Sequence, residues 1–278
     1  MSLNAVVRKA VIPVAGLGSR FFPITQTIPK AMLQVIDKPV IHYIVSEALA
    51  AGIEQIILVN GKNQSSIEDY FDGAFGFEAQ HTGKTICSIR QKEALGLGHA
   101  VLCAEQIIGD EPFAVLLGDD VIMAGEGEKP AIQQLIEAFV KTQAAQVAIM
   151  QVRQEDIPKY GIVQGSPGPE GTQYLHIEDL VEKPPKGTAR SDLAVIGRYV
   201  LPASIWPILK STQPGHGGEI QLTDALVRLM ESEGLMGYRF LGQRIDAGDP
   251  LGLVELNLFE ALRRSNLRDG LRTMLAKI

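Results

Sequence analysis

Val11-Ile12-Pro13-Val14-Ala15-Gly16-Leu17-Gly18-Ser19-Arg20 is the stretch from which the fold can be read. The continuously apolar run Ala10–Ala15 leads directly into a glycine turn, as a buried parallel strand does when its end faces a ligand. Such a turn lets the backbone approach a bulky anion, because no Cβ intervenes, and its N–H groups can converge on phosphate oxygens. Two cations follow: Arg20 itself, and Lys30 in Pro29-Lys30-Ala31-Met32-Leu33, ahead of Lys38-Pro39. They would compensate phosphate charge. Together these features point to a nucleoside triphosphate site. A dinucleotide fingerprint is excluded, since its third glycine position holds Phe21, and so is a Walker A loop, which needs Gly-Lys-Ser/Thr. Gly-x-Gly alone is as common in turns that bind nothing, so the weight rests on the whole arrangement.

Outward from this strand, apolar β-rich runs alternate with helical periodicity. Helices are predicted over Pro39–Ala50, Ser65–Phe71, Gly98–Ile108 and Pro130–Lys141. Strands are predicted over Gln55–Val59, Thr85–Ile89, Phe113–Leu117 and Gln146–Val152. This is the rhythm of a doubly wound, mostly parallel, Rossmann-like α/β sheet with ligands at the carboxyl ends of its strands. From about Tyr160 the strands Ile162–Gln164, Gln173–Val181 and Leu193–Val200 are separated by glycine and proline turns instead, with Gly165–Gly171 as a solvent loop. Helices return at Pro202–Leu209, Gln221–Glu231, Pro250–Arg264 and Leu267–Ala276. One domain over residues 1–278 is expected: a nucleotide-binding part (8–152), a smaller β-rich part (153–249) and C-terminal helices (250–278).

With 278 residues, 46% hydrophobic and 21% charged, the chain can bury a sizeable core. A net charge of -6 argues against non-specific nucleic-acid binding, which rests on cation density. No apolar run is long enough for a bilayer, and Met1 to Lys9 lacks the apolar core of a signal peptide. Cys87 and Cys103 lie in apolar segments without C-x-x-C spacing, so reduced buried thiols in a cytoplasmic protein are expected. The five histidines form no zinc pattern. Trp206 and the apolar residues of Val40–Leu49 read as core.

Asp119 and Asp120 close an apolar strand at Gly118-Asp119-Asp120, and Asp246 sits in Arg244-Ile245-Asp246-Ala247-Gly248-Asp249. A strand-end carboxylate needs a partner. Turn capping is one role; holding Mg²⁺, which takes oxygen ligands and keeps several waters, is another. Gln91 precedes a second glycine turn, Gly96-Leu97-Gly98-His99, and its amide pairs a donor with an acceptor, which suits a pyrimidine edge. His99 could cap the helix that follows or touch ligand. In Val181-Glu182-Lys183-Pro184, Glu182 can accept from hydroxyls and Lys183 can neutralise a phosphate, or the two form an exposed ion pair of little worth. Glu219, in Gly218-Glu219-Ile220-Gln221-Leu222-Thr223-Asp224, stands at a helix N-terminus, which favours acidic residues.

These motifs, in this order from about Ala10 to Leu258, resemble the signature of the sugar-1-phosphate nucleotidyltransferases, most closely their uridylyl-transferring branch. The resemblance implies transfer of a uridylyl group from UTP to glucose 1-phosphate, with pyrophosphate leaving. It implies catalytic roles for Arg20, Lys30, Asp119 and Lys183, and nucleotide contacts from Ala15, Gly16, Gly18, Gln91 and Gly96. It further implies sugar-phosphate contacts from Gly161, Glu182, Lys183 and Glu219, within 153–249, and Mg²⁺ on Asp119 and Asp246, with Asp120 behind them. No nucleic acid or membrane partner is implied, and a homodimer or homotetramer is. The chain departs from the family pattern at Ser19, Gln26, Ala31 and Gln34. Loss of a charge at Gln26 and of a carboxylate beside Lys30 at Ala31 are expected to touch the site. A thymidylyl or other hexose-1-phosphate transferase, and a weakly catalytic regulatory paralogue, are compatible with the same residues.

Overall fold

The computed structural model describes residues 7–62, 65–72, 83–169 and 171–277. In chain order the strands are β1 (Lys9–Pro13), β2 (Gln34–Val35), β3 (Lys38–Pro39), β4 (Gln55–Asn60), β5 (Thr85–Arg90), β6 (Phe113–Leu116), β7 (Asp120–Met123), β8 (Ala145–Gln151), β9 (Gly161–Pro167), β10 (Tyr174–Glu182), β11 (Leu193–Leu201), β12 (Leu235–Arg239) and β13 (Gln243–Asp246). The helices are α1 (Val40–Ala50), α2 (Ser65–Asp72), α3 (Leu97–Leu102), α4 (Glu105–Ile108), α5 (Ala131–Thr142), α6 (Ile205–Ser211), α7 (Leu222–Glu233), α8 (Pro250–Arg263) and α9 (Ser265–Leu275).

A nine-stranded sheet runs β5-β4-β1-β6-β11-β8-β12-β10-β9. The first four strands are parallel, and β11 then pairs antiparallel with both β6 and β8. The later, β-rich stretch extends this same sheet.

Continuous apolar strands form here because both faces of the sheet are covered. Successive residues alternate between two cores. Ala10 and Ile12 of β1, with Ile56 and Leu58 of β4, face α1, α5 and Leu256 of α8. Val11, Ile57 and Val59 face α3, α4, α6 and α7. Trp206 belongs to the second core, stacked on Phe113 with ring centroids 4.5 Å apart. Pro250 occupies the first turn of α8, where no N–H is needed, and Asp249 Oδ1 caps it by accepting from the Leu251 N–H at 3.0 Å.

Several boundaries differ from the sequence reading. The helix expected over Gly98–Ile108 is two helices, because a turn at Cys103-Ala104 interrupts it. Gly165 to Pro167 belong to β9 instead of a solvent loop, paired with Leu175, His176 and Ile177. Strands β7, β12 and β13 went unread, being short or set among polar residues. The cysteines are free but only half-buried; burial still pushes both thiols above their ordinary pKa, which disfavours thiolate chemistry.

Charged groups are buried here too: Glu47, Asp120 and, most completely, Arg198. Arg198 of β11 is fully buried. Its Nε donates to Glu47 Oε1 at 3.0 Å, Nη2 to Glu47 Oε2 at 2.6 Å and to the Asp120 carbonyl at 2.7 Å, and Nη1 to the Gly197 carbonyl at 2.9 Å. Burial favours the neutral guanidine, but Glu47 and then Asp120 outweigh it and hold the pKa above the ordinary value. Glu47→Gln strands this charge and should cost about 3–5 kcal/mol in urea unfolding, the usual penalty for removing one partner of a buried pair.

Candidate active site

Because β1 and β6 are parallel neighbours, the glycine turn after β1 and the Gly118-Asp119 turn after β6 emerge side by side. Between them lies a cavity of about 460 Å³, lined among others by Ala15, Gly16, Gly18, Lys30, Gln91, Gly96, Asp119 and Glu219. Gly18 takes φ +64°, a left-handed conformation that glycine tolerates. Its carbonyl accepts from the Thr25 hydroxyl at 2.7 Å, which fixes the turn. Lys30 opens a short helical turn whose next residue, Ala31, is buried in the core. The Lys30 ammonium is hydrogen-bonded to Asp119 Oδ2. Asp119 therefore orients Lys30, so the absent carboxylate at position 31 is not what sets its direction. Gln26 is exposed and does not line the cavity.

At the other end of the cavity Gln91 is buried. Its Nε2 lies 3.1 Å from the Gly96 carbonyl and 3.0 Å from His99 Nδ1. His99 thus orients Gln91. Among the described residues no donor meets the Gln91 Oε1. Gly96 has φ +98°, and a Cβ there would fall 2.7 Å from the Glu219 Cβ and 2.8 Å from the Ile220 carbonyl. The close approach serves a backbone splice: Gly98 N–H donates to Ile220 O, and Ile220 N–H to Leu95 O, both at 2.8 Å. The Gln91 loop and the Glu219 loop are therefore one unit.

Gly161, Glu182 and Lys183 stand outside the lining of this cavity. They follow the Glu219 segment outward, since the Thr223 hydroxyl donates to Glu182 Oε2 at 2.7 Å. Gly161 pairs with Glu182 across the β9–β10 ladder. Lys183 has φ +44°; its Nζ is 3.3 Å from Glu182 Oε1, and its N–H donates to the Tyr160 carbonyl at 3.0 Å.

The carboxylates meet because β13 pairs antiparallel with β7, setting Asp246 opposite Asp120. A Cβ on Gly248 would sit 2.5 Å from Asp119 Oδ2 and 3.0 Å from Asp246 Oδ1, so the two acids flank one glycine. Arg20 reaches the same place, its Nη1 3.4 Å from the Gly248 carbonyl. Burial raises the Asp246 carboxyl above its usual range; Arg244 opposes this, while Asp120 and Asp119 add to it. Asp119, Asp120 and Asp246 crowd together with Lys30 and Arg244 as their ion-pair partners. Two acidic oxygen donors fit a hard divalent ion that keeps water or phosphate ligands. Among the described residues no group of three or more His, Cys, Asp or Glu forms a closed metal cage. Asp120 itself turns away: its Oδ2 accepts from the Gly197 N–H at 2.9 Å and its Oδ1 from Arg244 Nε at 2.5 Å.

Thr223, Gly248, the Tyr160 hydroxyl and Arg244 were not singled out from the sequence. Arg244 and Asp246 stand two apart and share one strand face, a signal that depends on recognising β13.

This fold and this cavity define a class: the chain belongs to the nucleotidyl transferase family, whose profile matches residues 9–261. Among its relatives, the UTP–glucose-1-phosphate uridylyltransferase of Bacillus subtilis (strain 168) is 47% identical over 281 residues, covering 95% of this chain and 94% of that protein. A UDP-glucose pyrophosphorylase solved with UDP-glucose is 41% identical, covers 93% of this chain and 100% of the other, and superposes with a TM-score of 0.86. A UTP-bound UGPase from Acinetobacter baumannii is 39% identical, covering 98% and 99%, with a TM-score of 0.87.

Gly248→Ala should place a methyl group between Asp119 and Asp246 and weaken Mn²⁺ binding by roughly tenfold or more, since ligand-site disturbances commonly cost 10–100-fold. Titration followed by the Mn²⁺ EPR signal, with circular dichroism as a control for folding, measures this.

Proposed function

We propose that this chain transfers a uridylyl group from UTP to glucose 1-phosphate, giving UDP-glucose and pyrophosphate. The observation that carries this reading is one cavity with a glycine turn along its wall, the Gln91 amide at one end and the Lys30–Asp119 pair at the other. The similarity to uridylyltransferases over nearly the whole chain supports it. With Gln91 Nε2 engaged by Gly96 and His99, its Oε1 is the group to accept from a base. That matches the N3–H of uracil and opposes the bare N3 of cytosine.

In this reading residues 8–152 hold the nucleotide, 153–249 the sugar phosphate, and 250–278 supply the C-terminal helices. Ala15, Gly16 and Gly18 lay backbone along the nucleotide, and Gly96 completes the base site. Glu219, Glu182 and Gly161 meet the sugar hydroxyls. Lys183 orients the sugar phosphate, whose oxygen attacks the α-phosphorus in line. That oxygen is already anionic, so no protein nucleophile or general base is needed; catalysis is alignment and charge stabilisation. Lys30 stabilises charge at the α-phosphate, and Arg20 faces the departing pyrophosphate. Asp119 and Asp246 would hold Mg²⁺, which supplies neutralisation of triphosphate charge when bound. Lys30 must leave Asp119 to reach the phosphate, a rearrangement that competing anions and cations at the site would favour.

Assembly as a homodimer or homotetramer belongs to the same reading, supported by the exposed apolar stripe Leu251, Val254 and Leu262 on α8. Among the described residues no helix is long and apolar enough to cross a membrane.

Pyrophosphate release with glucose 1-phosphate should be fast with UTP, much slower with CTP, ATP and GTP, and abolished by EDTA. A preference for dTTP, or UTP binding without release, would overturn the assignment. Lys30→Ala should lower kcat on the order of a hundredfold or more, as losing one charge-stabilising donor does, without changing the unfolding free energy by more than about 1 kcal/mol.

A further inference from the structure

We propose that Arg244 is a positioning residue that ties the metal-side carboxylate Asp246 to the backbone carrying Lys183. Its guanidinium is held on three sides: Nε donates to Asp120 Oδ1 at 2.5 Å, Nη1 to the Tyr160 hydroxyl at 2.7 Å, and Nη2 lies 3.3 Å from Asp246 Oδ2. It also sits over the Tyr160 ring, 5.2 Å from the centroid. The side chain of Arg244 is 12% exposed, so these contacts are largely shielded from competing water.

The contacts divide the work of two other residues. Asp246 Oδ2 faces the Arg244 guanidinium as an ion pair, while Oδ1 accepts from the Gly248 N–H on the side of Asp119. Tyr160 offers its hydroxyl to Arg244 and its carbonyl to the Lys183 N–H. One guanidinium and one tyrosine thus span from the carboxylate pair to the base of the Lys183 side chain. In-line attack needs the sugar phosphate and the metal-bound triphosphate in register, and a misplacement of about 1 Å can cost about a hundredfold in rate. A planar fork can hold three partners at fixed angles, which an ammonium cannot. The inference rests on reading Asp119 with Asp246 as the metal pair and Lys183 as the sugar-phosphate cation.

The test is a double-mutant cycle of Arg244→Lys and Tyr160→Phe, read by steady-state kinetics and by amide hydrogen exchange of peptides spanning Lys183. Tyr160→Phe keeps the ring and removes only the hydroxyl. Each variant should raise KM for glucose 1-phosphate or lower kcat by roughly tenfold, and Tyr160→Phe, which leaves the metal-side contacts of Arg244 in place, should keep KM for UTP within about twofold. The double variant should match Arg244→Lys alone, and exchange at the Lys183 peptide should quicken in all three. Additive effects, or unchanged exchange in Tyr160→Phe, would overturn the proposal, and Tyr160→Phe decides this even if Arg244→Lys does not fold. Should the wild-type protein fail to turn over UTP with glucose 1-phosphate, the substrate reading falls, while the exchange measurements still decide the tie.

Discussion

The buried Arg198 guanidinium is the constraint on which the site depends. A charge with no exposure is tolerable only if every donor is matched, and Arg198 finds its acceptors on α1, on β11 itself and at the first residue of β7. Satisfying it fixes where β7 starts. That in turn sets Asp119 on the cavity side of the turn and Asp120 on the inner side, where Gly197 and Arg244 hold it. The carboxylates are thus presented by a chain of contacts that begins in the core: Glu47 pairs with Arg198, Arg198 donates to the Asp120 backbone carbonyl, and Arg244 pairs with the carboxylates of Asp120 and Asp246. Such pairs add little net stability over an apolar core but penalise alternatives strongly, a good property beneath a site that must hold its geometry.

Two tethers hold the proposed nucleotide and sugar-phosphate halves of the site together. One is backbone: the splice of residues 95–98 with Ile220 makes the Gln91 loop and the Glu219 loop a single surface. The other is side chain, through Arg244 and Tyr160. Among the described residues, the segments carrying Glu219, Lys183 and Asp246 are each tied back by one of these contacts. Rigid support of this kind is what alignment-based catalysis requires, since the chemistry asks for position more than for a reactive side chain.

The inner parallel strands β1, β4 and β6 were legible because they are buried on both faces, so they are largely apolar runs leading to a glycine. The glycine turn, Gln91 and Asp119 were legible for a related reason, since they follow strand ends directly, whereas Lys30, Gly96 and Glu219 were legible from the motifs around short helical turns and helix starts. The structure gathers these on one cavity. In the later half β8, β9, β10 and β11 were legible as well, but β7, β12 and β13 were not. β7 and β13 have four residues each, too few for a period-two pattern to stand out from a loop. Without their pairing, the meeting of Asp119 with Asp246 was implied by the family resemblance alone, and the place of Arg244 was not visible.

The sequence by itself determined the layered α/β architecture, the order of its elements and the residue types at the strand ends, because burial on both faces and tight turns leave local marks. Only the tertiary structure decided which charges meet. Lys30 with Asp119, Arg198 with Glu47 and Arg244 with Asp120 are each pairs of residues far apart in the chain. Their partnership follows from strand register and from the penalty on an unpaired buried charge, both properties of the folded whole and of no single segment.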